Sequence, residues 1–172
     1  MSATSISLLS VLVAFISLLF SICGRVSDAR DRRSKEIKFQ LDNVSAWISQ
    51  DADASGDPIV VANATPVPVY DVVLSLVLVR GAGASRGEDL PENESLRRWI
   101  SVVPPGRWKV NPGAQGIGGM YAVAGVELAL RDSSGRNWIR RVDGQTESID
   151  DGPRAHYSLQ EPVGHSNIES YY

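Results

Sequence analysis

The hydrophobic pattern of this chain begins with an uninterrupted apolar run over residues 5–23, SISLLSVLVAFISLLFSIC, which contains no charged residue, Pro or Gly. A helix rises 1.5 Å per residue, so about 19 residues reach about 28 Å, roughly the thickness of the hydrocarbon core of a bilayer. The serines in the run can donate hydrogen bonds to carbonyls of the same helix, which makes them tolerable in lipid. The pattern therefore predicts a transmembrane helix over residues 5–23.

Two other uses of such a run are disfavoured by its flanks. A cleaved secretory signal peptide has a positive segment before the apolar stretch, whereas MSAT carries only the terminal amine. A bacterial lipoprotein has a small residue directly before its lipidated cysteine, but Ile22 precedes Cys23 and Phe20 stands three positions before it. We therefore expect an uncleaved signal-anchor and a single-pass membrane protein.

Basic residues dominate the next segment, residues 24–42, for which we predict a juxtamembrane helix. Its charged helix formers and a thin apolar stripe at steps of three and four favour helix, although Ile37, Phe39 and Leu41 alternate as they would in a strand. Positive charge directly after a span favours keeping that flank in the cytoplasm, and the same charge can contact anionic lipid. The candidate lipid contacts are Arg25, Arg30, Arg32, Arg33, Lys35 and Lys38.

From about residue 43 the pattern changes to short runs rich in β-branched and aromatic residues, separated by turn residues. Such runs predict β-strands. The run at 68–80 is apolar on both alternating faces, which is typical of a central strand covered on both sides, and we expect Leu76 and Leu128 in the core. The predicted strands cover residues 44–49, 58–63, 68–80, 96–103, 108–110, 120–131 and 136–142.

About seven strands in roughly 100 residues predict a mainly β fold class, an immunoglobulin-like antiparallel β-sandwich over residues 43–142. A closed β-barrel is the alternative. The single cysteine, Cys23, excludes the disulfide of antibody domains, so only the architecture is implied. Residues 143–172 are polar and acidic without periodicity, and we expect a disordered tail there.

The distribution of charged residues along the chain indicates which kinds of partner to expect. Residues 39–142 hold 10 basic and 11 acidic residues, and residues 143–172 hold one basic and six acidic residues. A nucleic-acid binder normally carries excess positive charge on its folded domain. We therefore expect the membrane and a protein as partners, and no nucleic acid.

Several stretches together resemble a known group of proteins. The apolar span, the basic segment ending near VSAWI, and then NATPVPVYDV, VPPG and RDSSGRNWIR are similar to a group of uncharacterised actinobacterial membrane-anchored proteins. The similarity covers residues 5–142 and lies mostly in turn and strand-pairing residues. It implies a single span followed by a C-terminal β-sandwich domain, and it implies no activity because none is assigned to the group.

One motif suggests a nucleophile but lacks its structural context. Residues 83–87, GASRG, match the G-x-S-x-G elbow of serine hydrolases. That elbow needs a helix directly after it and a histidine within reach. Pro91 argues against the helix, and both His156 and His165 lie in the predicted tail. We therefore expect no catalytic residue.

Two further motifs fall short of a metal or phosphate site. Residues 51–57 alternate acids as a calcium loop does, but Ala62 stands where the bidentate Glu belongs. The glycine-rich stretch 113–119 lacks the Lys-Ser/Thr and the helix that follow the glycines of a phosphate loop. The sequence therefore predicts no metal, no cofactor and no enzymatic activity.

Arginines interleaved with tryptophans are the remaining candidates for a binding surface. They can stack on one another across strands, or they can form an exposed patch for a partner protein or an anionic polymer. The residues of this candidate partner patch are Arg97, Arg98, Trp99, Arg107, Trp108, Arg140 and Arg141.

These features together predict a membrane-anchored, non-enzymatic interaction or scaffold module whose β-sandwich lies in the cytoplasm. The alternative places the same domain outside the membrane, as an extracytoplasmic, envelope-anchored binding module.

Overall fold

Two antiparallel β-sheets make up the described part of the chain. The computed structural model describes residues 42–50, 57–91, 96–111, 121–159 and 166–171. Within these residues nine strands form one four-stranded and one five-stranded sheet, and helix is confined to short segments. The predicted mainly β fold with antiparallel pairing is confirmed at this level.

All seven predicted strands are present, with ends that differ by up to three residues. They are β1 (Val44–Ile48), β2 (Ile59–Asn63), β3 (Val69–Arg80), β4 (Arg97–Val103), β5 (Gly106–Val110), β6 (Val123–Arg131) and β7 (Asn137–Arg140). A 3₁₀ turn (Gly87–Asp89) lies between β3 and β4. The chain continues with β8 (Thr146–Ile149), the short helix α1 (Pro153–His156) and β9 (Ile168–Ser170).

The two sheets differ by one strand in the described residues. The strand orders are β1-β2-β5-β9 and β4-β3-β6-β7-β8. At one side the sheets are joined where the Ser166 amide, just before β9, donates a 2.8 Å hydrogen bond to the Trp99 carbonyl of β4. At the other side β1 packs against β6, so the five-stranded sheet continues by β7 and β8 beyond the last described strand of its partner.

The core follows from the alternation of β3. A bulge at Asp71, which has a φ of 49°, shifts the register, and beyond it the apolar residues alternate regularly between two faces. Leu74, Leu76 and Leu128 lie on the face toward the four-stranded sheet, which we call the inner face. Leu76 is 4 % and Leu128 is 1 % exposed, so their predicted burial is confirmed.

The opposite face of the five-stranded sheet, which we call the outer face, is also covered. Val73, Ala129 and Ile139 form a buried cluster there with Tyr157, which follows α1. This second layer explains why β3 is apolar on both sides.

The predicted disordered tail is wrong for the described residues after Val142. β8 extends the sheet by pairing with β7, β9 pairs with β5, and α1 packs on the outer face. The apolar residues that bury here, such as Ile149, Tyr157 and Leu159, are widely spaced along the chain. An edge strand is held largely by backbone hydrogen bonds, so a polar sequence such as TESI shows little apolar periodicity.

Several sequence predictions lie outside the described residues. These are the transmembrane helix at 5–23, nearly all of the juxtamembrane helix at 24–42 with its lipid contacts, most of the acidic loop at 51–57, and the glycine-rich loop at 113–119. In the part of the chain that the structure describes, no helix combines the length and apolar character needed to cross a bilayer.

Candidate functional site

A buried carboxylate organises a polar cluster on the outer face. Glu127 of β6 is 1 % exposed and lies on the outer face, opposite the buried Ser75 of β3. Its Oε1 accepts hydrogen bonds from the Gly87 amide at 2.9 Å and from the Tyr157 hydroxyl at 2.7 Å. Its Oε2 accepts one from Nη1 of Arg141 at 2.9 Å. The buried charge is therefore paired and hydrogen-bonded, as a stable interior requires.

Arg141 joins this cluster to two more carboxylates. Nη1 also donates to Oε2 of Glu88 at 2.8 Å, and Nη2 donates to Oε2 of Glu147 at 2.9 Å. Burial raises the pKa of Glu88, but the hydrogen bond from Arg141 outweighs it with help from a backbone amide and His156, and the pKa falls to about 2. The same bond to Glu88 raises the pKa of Arg141 above its ordinary value, against the opposing effect of burial. Glu88 and Arg141 are therefore both charged throughout the physiological pH range.

Tyr157 is the neutral member of the cluster. Burial raises the pKa of its hydroxyl, and the negative charge of Glu127 raises it further. The hydroxyl therefore stays protonated and acts as a donor to Glu127. Because both groups are buried and engaged with each other, we interpret the cluster as a structural lock that holds α1 and the 3₁₀ turn on the outer face, and not as a reaction centre.

The last glycine of the GASRG motif has a steric role in this lock. A Cβ at Gly87 would collide with the Glu127 carboxylate and would lie 2.6 Å from the Tyr157 ring. The 3₁₀ turn (Gly87–Asp89) is the helical element that directly follows this motif in the described residues, and Ser85 itself is exposed. His156 reaches Glu88, with 3.0 Å between Nε2 and Oε1.

Arg97 completes the same lock from β4. It is 5 % exposed, and its guanidinium donates to the carbonyls of Gly87, Leu90 and Pro91 at 2.8 to 3.1 Å. The guanidinium carbon also lies 5.6 Å from the centre of the Tyr157 ring. Arg97 is thus a buried structural residue that contributes nothing to an exposed patch.

A second ion pair fastens α1 at the bulge of β3. The Asp71 carboxylate accepts hydrogen bonds at 2.8 Å from Nε1 of Trp99 and from Nε of Arg154. The Arg154 guanidinium lies 4.9 Å from the Trp99 ring centre. The cation on the Trp99 indole is therefore Arg154 of α1, and not one of the arginines that the sequence analysis paired with tryptophans.

The remaining members of the candidate partner patch lie elsewhere. Arg98 donates to the Asn111 carbonyl, and Arg107 and Trp108 belong to β5 of the four-stranded sheet. Trp108 donates from Nε1 to the Pro104 carbonyl at 2.9 Å. The structure brings Arg97, Trp99 and Arg141 to the outer face, but it does not bring all seven residues into one surface.

Arg140 marks a different feature, a cavity between the sheets at the β1 side. The cavity has a volume of about 300 Å³. It is lined by Ser45 and Ala46 of β1, by Val126 and Leu128 of β6, and by residues 140–144 at the turn after β7. We call this space the edge groove. It lies where the five-stranded sheet extends beyond β1.

The backbone of β1 presents hydrogen-bonding groups to the edge groove. The Asn43 carbonyl and the Ser49 amide bond to β2, at 2.8 Å each, so odd-numbered residues of this strand direct their backbone groups to β2. Because the direction alternates along a strand, Val44, Ala46 and Ile48 direct theirs away from it. The Val44 carbonyl accepts a 3.1 Å hydrogen bond from Nη1 of Arg140, across the groove.

The edge groove is the candidate functional site of the described residues. It combines three features. Strand β1 pairs on one side only among the described strands, the cavity lies beside β1, and the guanidinium of Arg140 reaches the β1 backbone there. Sequence reasoning selected Arg140 but not β1, because which strand ends a sheet depends on pairing between distant residues. In the described chain no group of three or more His, Cys, Asp or Glu side chains is arranged to hold a metal ion.

Comparisons with protein families, with curated proteins and with solved structures found no match to this chain.

Proposed function

We propose that this chain is a single-pass membrane protein whose β domain is a non-enzymatic interaction module that binds a partner protein at the edge groove. The edge groove is the observation that carries the proposal, because β1 ends its sheet among the described strands beside a cavity, and a sheet edge of this kind is a common docking surface for a polypeptide. The apolar run at 5–23 supports the anchor. Glu88, Arg141 and Tyr157 have pKa values far from their ordinary ones. We interpret these three residues as structural, because they form the buried lock around Glu127.

The domain in this proposal is an immunoglobulin-like sandwich in the cytoplasm. The size and the antiparallel two-sheet arrangement support the sandwich. The basic residues of 24–38 support the cytoplasmic side and a contact with anionic headgroups. The resemblance to actinobacterial membrane-anchored proteins supports the same organisation. The second candidate is the extracytoplasmic, envelope-anchored binding module, which the charge bias disfavours.

Crosslinking in cells tests the interaction directly. A photo-reactive amino acid replaces Trp47, which is 38 % exposed on β1, in the full-length protein. We expect a crosslinked product of discrete mass at this position and none from the same group at Gly135, in the distant β6–β7 turn.

Proline substitutions separate binding from folding in this experiment. Ala46→Pro removes an amide that points away from β2, so it should leave the ladder intact and abolish the crosslink. Ser45→Pro removes an amide of the ladder itself and should destabilise the domain. Equal crosslinking at Trp47 with and without Ala46→Pro, in a folded protein, would overturn the edge groove as the docking site.

A further inference from the structure

We infer that the edge groove takes a short extended segment of a partner protein, which adds to β1 as an antiparallel strand and inserts one large apolar side chain next to Ala46. This inference rests on the proposed function and names the chemistry of the partner.

The first argument is the backbone of β1. Ala46 and Ile48 direct their amides and carbonyls away from β2, and these groups make no hydrogen bond among the described residues. The Val44 carbonyl, which also points away from β2, already accepts from Arg140. An added strand can therefore pair with Ala46 and Ile48 while Arg140 keeps its bond to Val44, and the segment that docks is only a few residues long.

The second argument is the shape of the groove beside Ala46. Residues that lie opposite each other in an antiparallel pair point to the same face of the sheet, so a residue paired with Ala46 shares its face. Ala46 is small and partly exposed, whereas Val44 on the same face is 1 % exposed. The cavity beside Ala46 is lined by Val126 and Leu128 of β6. A large apolar side chain on the added strand would fill this space.

The third argument is the balance of charge in the same lining. Arg140 and Asp143 both line the cavity, so an inserted charge of either sign would be attracted by one and repelled by the other. Both already have hydrogen bonds, Arg140 to the Val44 carbonyl and Asp143 from the Gln145 amide at 2.9 Å. Burying a charge without a partner of its own is costly, whereas burying an apolar side chain against the apolar residues of β6 is favourable. The groove therefore favours an uncharged, apolar anchor.

The arrangement of the two sheets limits the occupant to a single segment. β1 packs against β6, and beyond β1 the other sheet continues with β7 and β8. Neighbouring strands lie about 4.8 Å apart, so a strand added to β1 lies over β7. A second copy that paired its own β1 there would bring its β6 into the layer that β7 already occupies. A segment with no second sheet behind it avoids this collision, so self-pairing is an outcome of the test and not the proposal.

Selection from a random peptide library tests the inference. The probe is a library of seven-residue peptides with acetylated and amidated ends, applied to the full-length protein in nanodiscs. We expect the selected peptides to share one large apolar residue, such as Leu, Ile or Phe, at a single position of an otherwise variable sequence. Changing that residue to Ala should weaken binding about tenfold, because most of the apolar area that it buries is lost.

Substitutions at Ala46 test which space the anchor fills. Ala46→Leu fills the cavity from β1 and keeps the backbone of the strand, so the peptides that it selects should carry Gly or Ala at the shared position. Ala46→Val should shift the preference in the same direction, and it serves where the larger side chain destabilises the domain. Ala62→Leu is the matched control and should select the same peptides as the wild type, because Ala62 is partly exposed on the opposite face of β2.

The outcomes distinguish the anchor from the docking site. If Ala46→Pro abolishes binding of the selected peptides, but they share no apolar position or the Ala46→Leu and Ala46→Val variants keep the wild-type preference, the edge groove is a docking site and the apolar anchor is wrong. If no peptide is selected, or binding survives Ala46→Pro in a folded protein, the docking site itself is wrong. If the protein instead forms dimers that Ala46→Pro dissociates, β1 pairs with a second copy and the inference is overturned.

Discussion

At the scale of single residues, the most crowded of the described glycines lies in the 3₁₀ turn. Gly87 donates its amide to Glu127 and leaves no room for a Cβ against that carboxylate and the Tyr157 ring. The sequence shows this glycine only as the end of a G-x-S-x-G match. The reason for it lies in β6 and after α1, far along the chain, so local pattern could not reveal it.

Gly87→Ala should therefore destabilise the domain by about 2–4 kcal/mol, because either the 3₁₀ turn or the buried carboxylate must move. The measurement is the free energy of unfolding in denaturant. Gly152→Ala is the control, since a Cβ there meets its nearest neighbour, Asp71, at an ordinary 3.7 Å. Equal stability of the two variants would show that the outer face is more loosely packed than the structure indicates.

Low pH should weaken the lock, because Glu88 becomes protonated. Its pKa falls from 4.5 to about 2 in the folded protein, because burial, which raises the pKa, is outweighed by the hydrogen bonds from Arg141, a backbone amide and His156 taken together. A lowered pKa stabilises the folded state above the unfolded value, and that contribution is lost as the pH falls from about 4.5 toward 2. Glu88→Gln should therefore lose less stability than the wild type between about pH 6 and about pH 3.

Unfolding free energies at several pH values check this expectation. Glu169→Gln removes an exposed carboxylate on β9 and controls for the change in net charge. A wild type and a Glu88→Gln variant with the same pH dependence would contradict the role assigned to the Arg141 bond.

At the scale of elements, the sequence predicts strands that a local residue pattern marks, but it does not reveal elements that depend on pairing with distant residues. The seven strands up to β7 are rich in β-branched and aromatic residues, so a local pattern suffices to find them. β8, α1 and β9 were assigned to a disordered tail because their stability comes from partners: β7 and β5 supply backbone hydrogen bonds, and the outer face supplies the apolar contacts. No local signal in TESI or IES reports such pairing.

Removal of residues 143–172 tests whether this segment is part of the folded domain. The truncation deletes β8, the Tyr157 hydroxyl and the Glu147 carboxylate, and it uncovers Val73, Ala129 and Ile139. We expect the shortened chain to lose cooperative thermal unfolding. Tyr157→Phe, which removes only one hydrogen bond from Glu127, should retain a cooperative transition with a stability lower by about 1–3 kcal/mol. A truncated chain that melts like the full-length protein would restore the interpretation of a dispensable tail.

At the scale of the whole molecule, the proposed membrane anchor and the edge groove rest on different kinds of observation. The membrane span and its orientation are predictions from apolar length and flanking charge over residues 5–38. The edge groove comes from the strand orders of the two sheets, which no local pattern contains. A reporter fused after Tyr172 shows on which side of the membrane the domain with the edge groove lies. Activity of a cytoplasmic reporter supports the proposed orientation, and activity of a periplasmic reporter alone selects the envelope-anchored alternative.

Amide hydrogen exchange along β1 of the full-length protein tests the central claim most directly. In the free protein we predict slow exchange for the amides of Ser45, Trp47 and Ser49, which face β2, and fast exchange for Ala46 and Ile48, which face the edge groove. Binding of a partner polypeptide at the edge groove should slow the amides of Ala46 and Ile48 and leave the other three unchanged. Slow exchange at Ala46 and Ile48 before any partner is added, or fast exchange that persists when a partner is bound, would contradict the account.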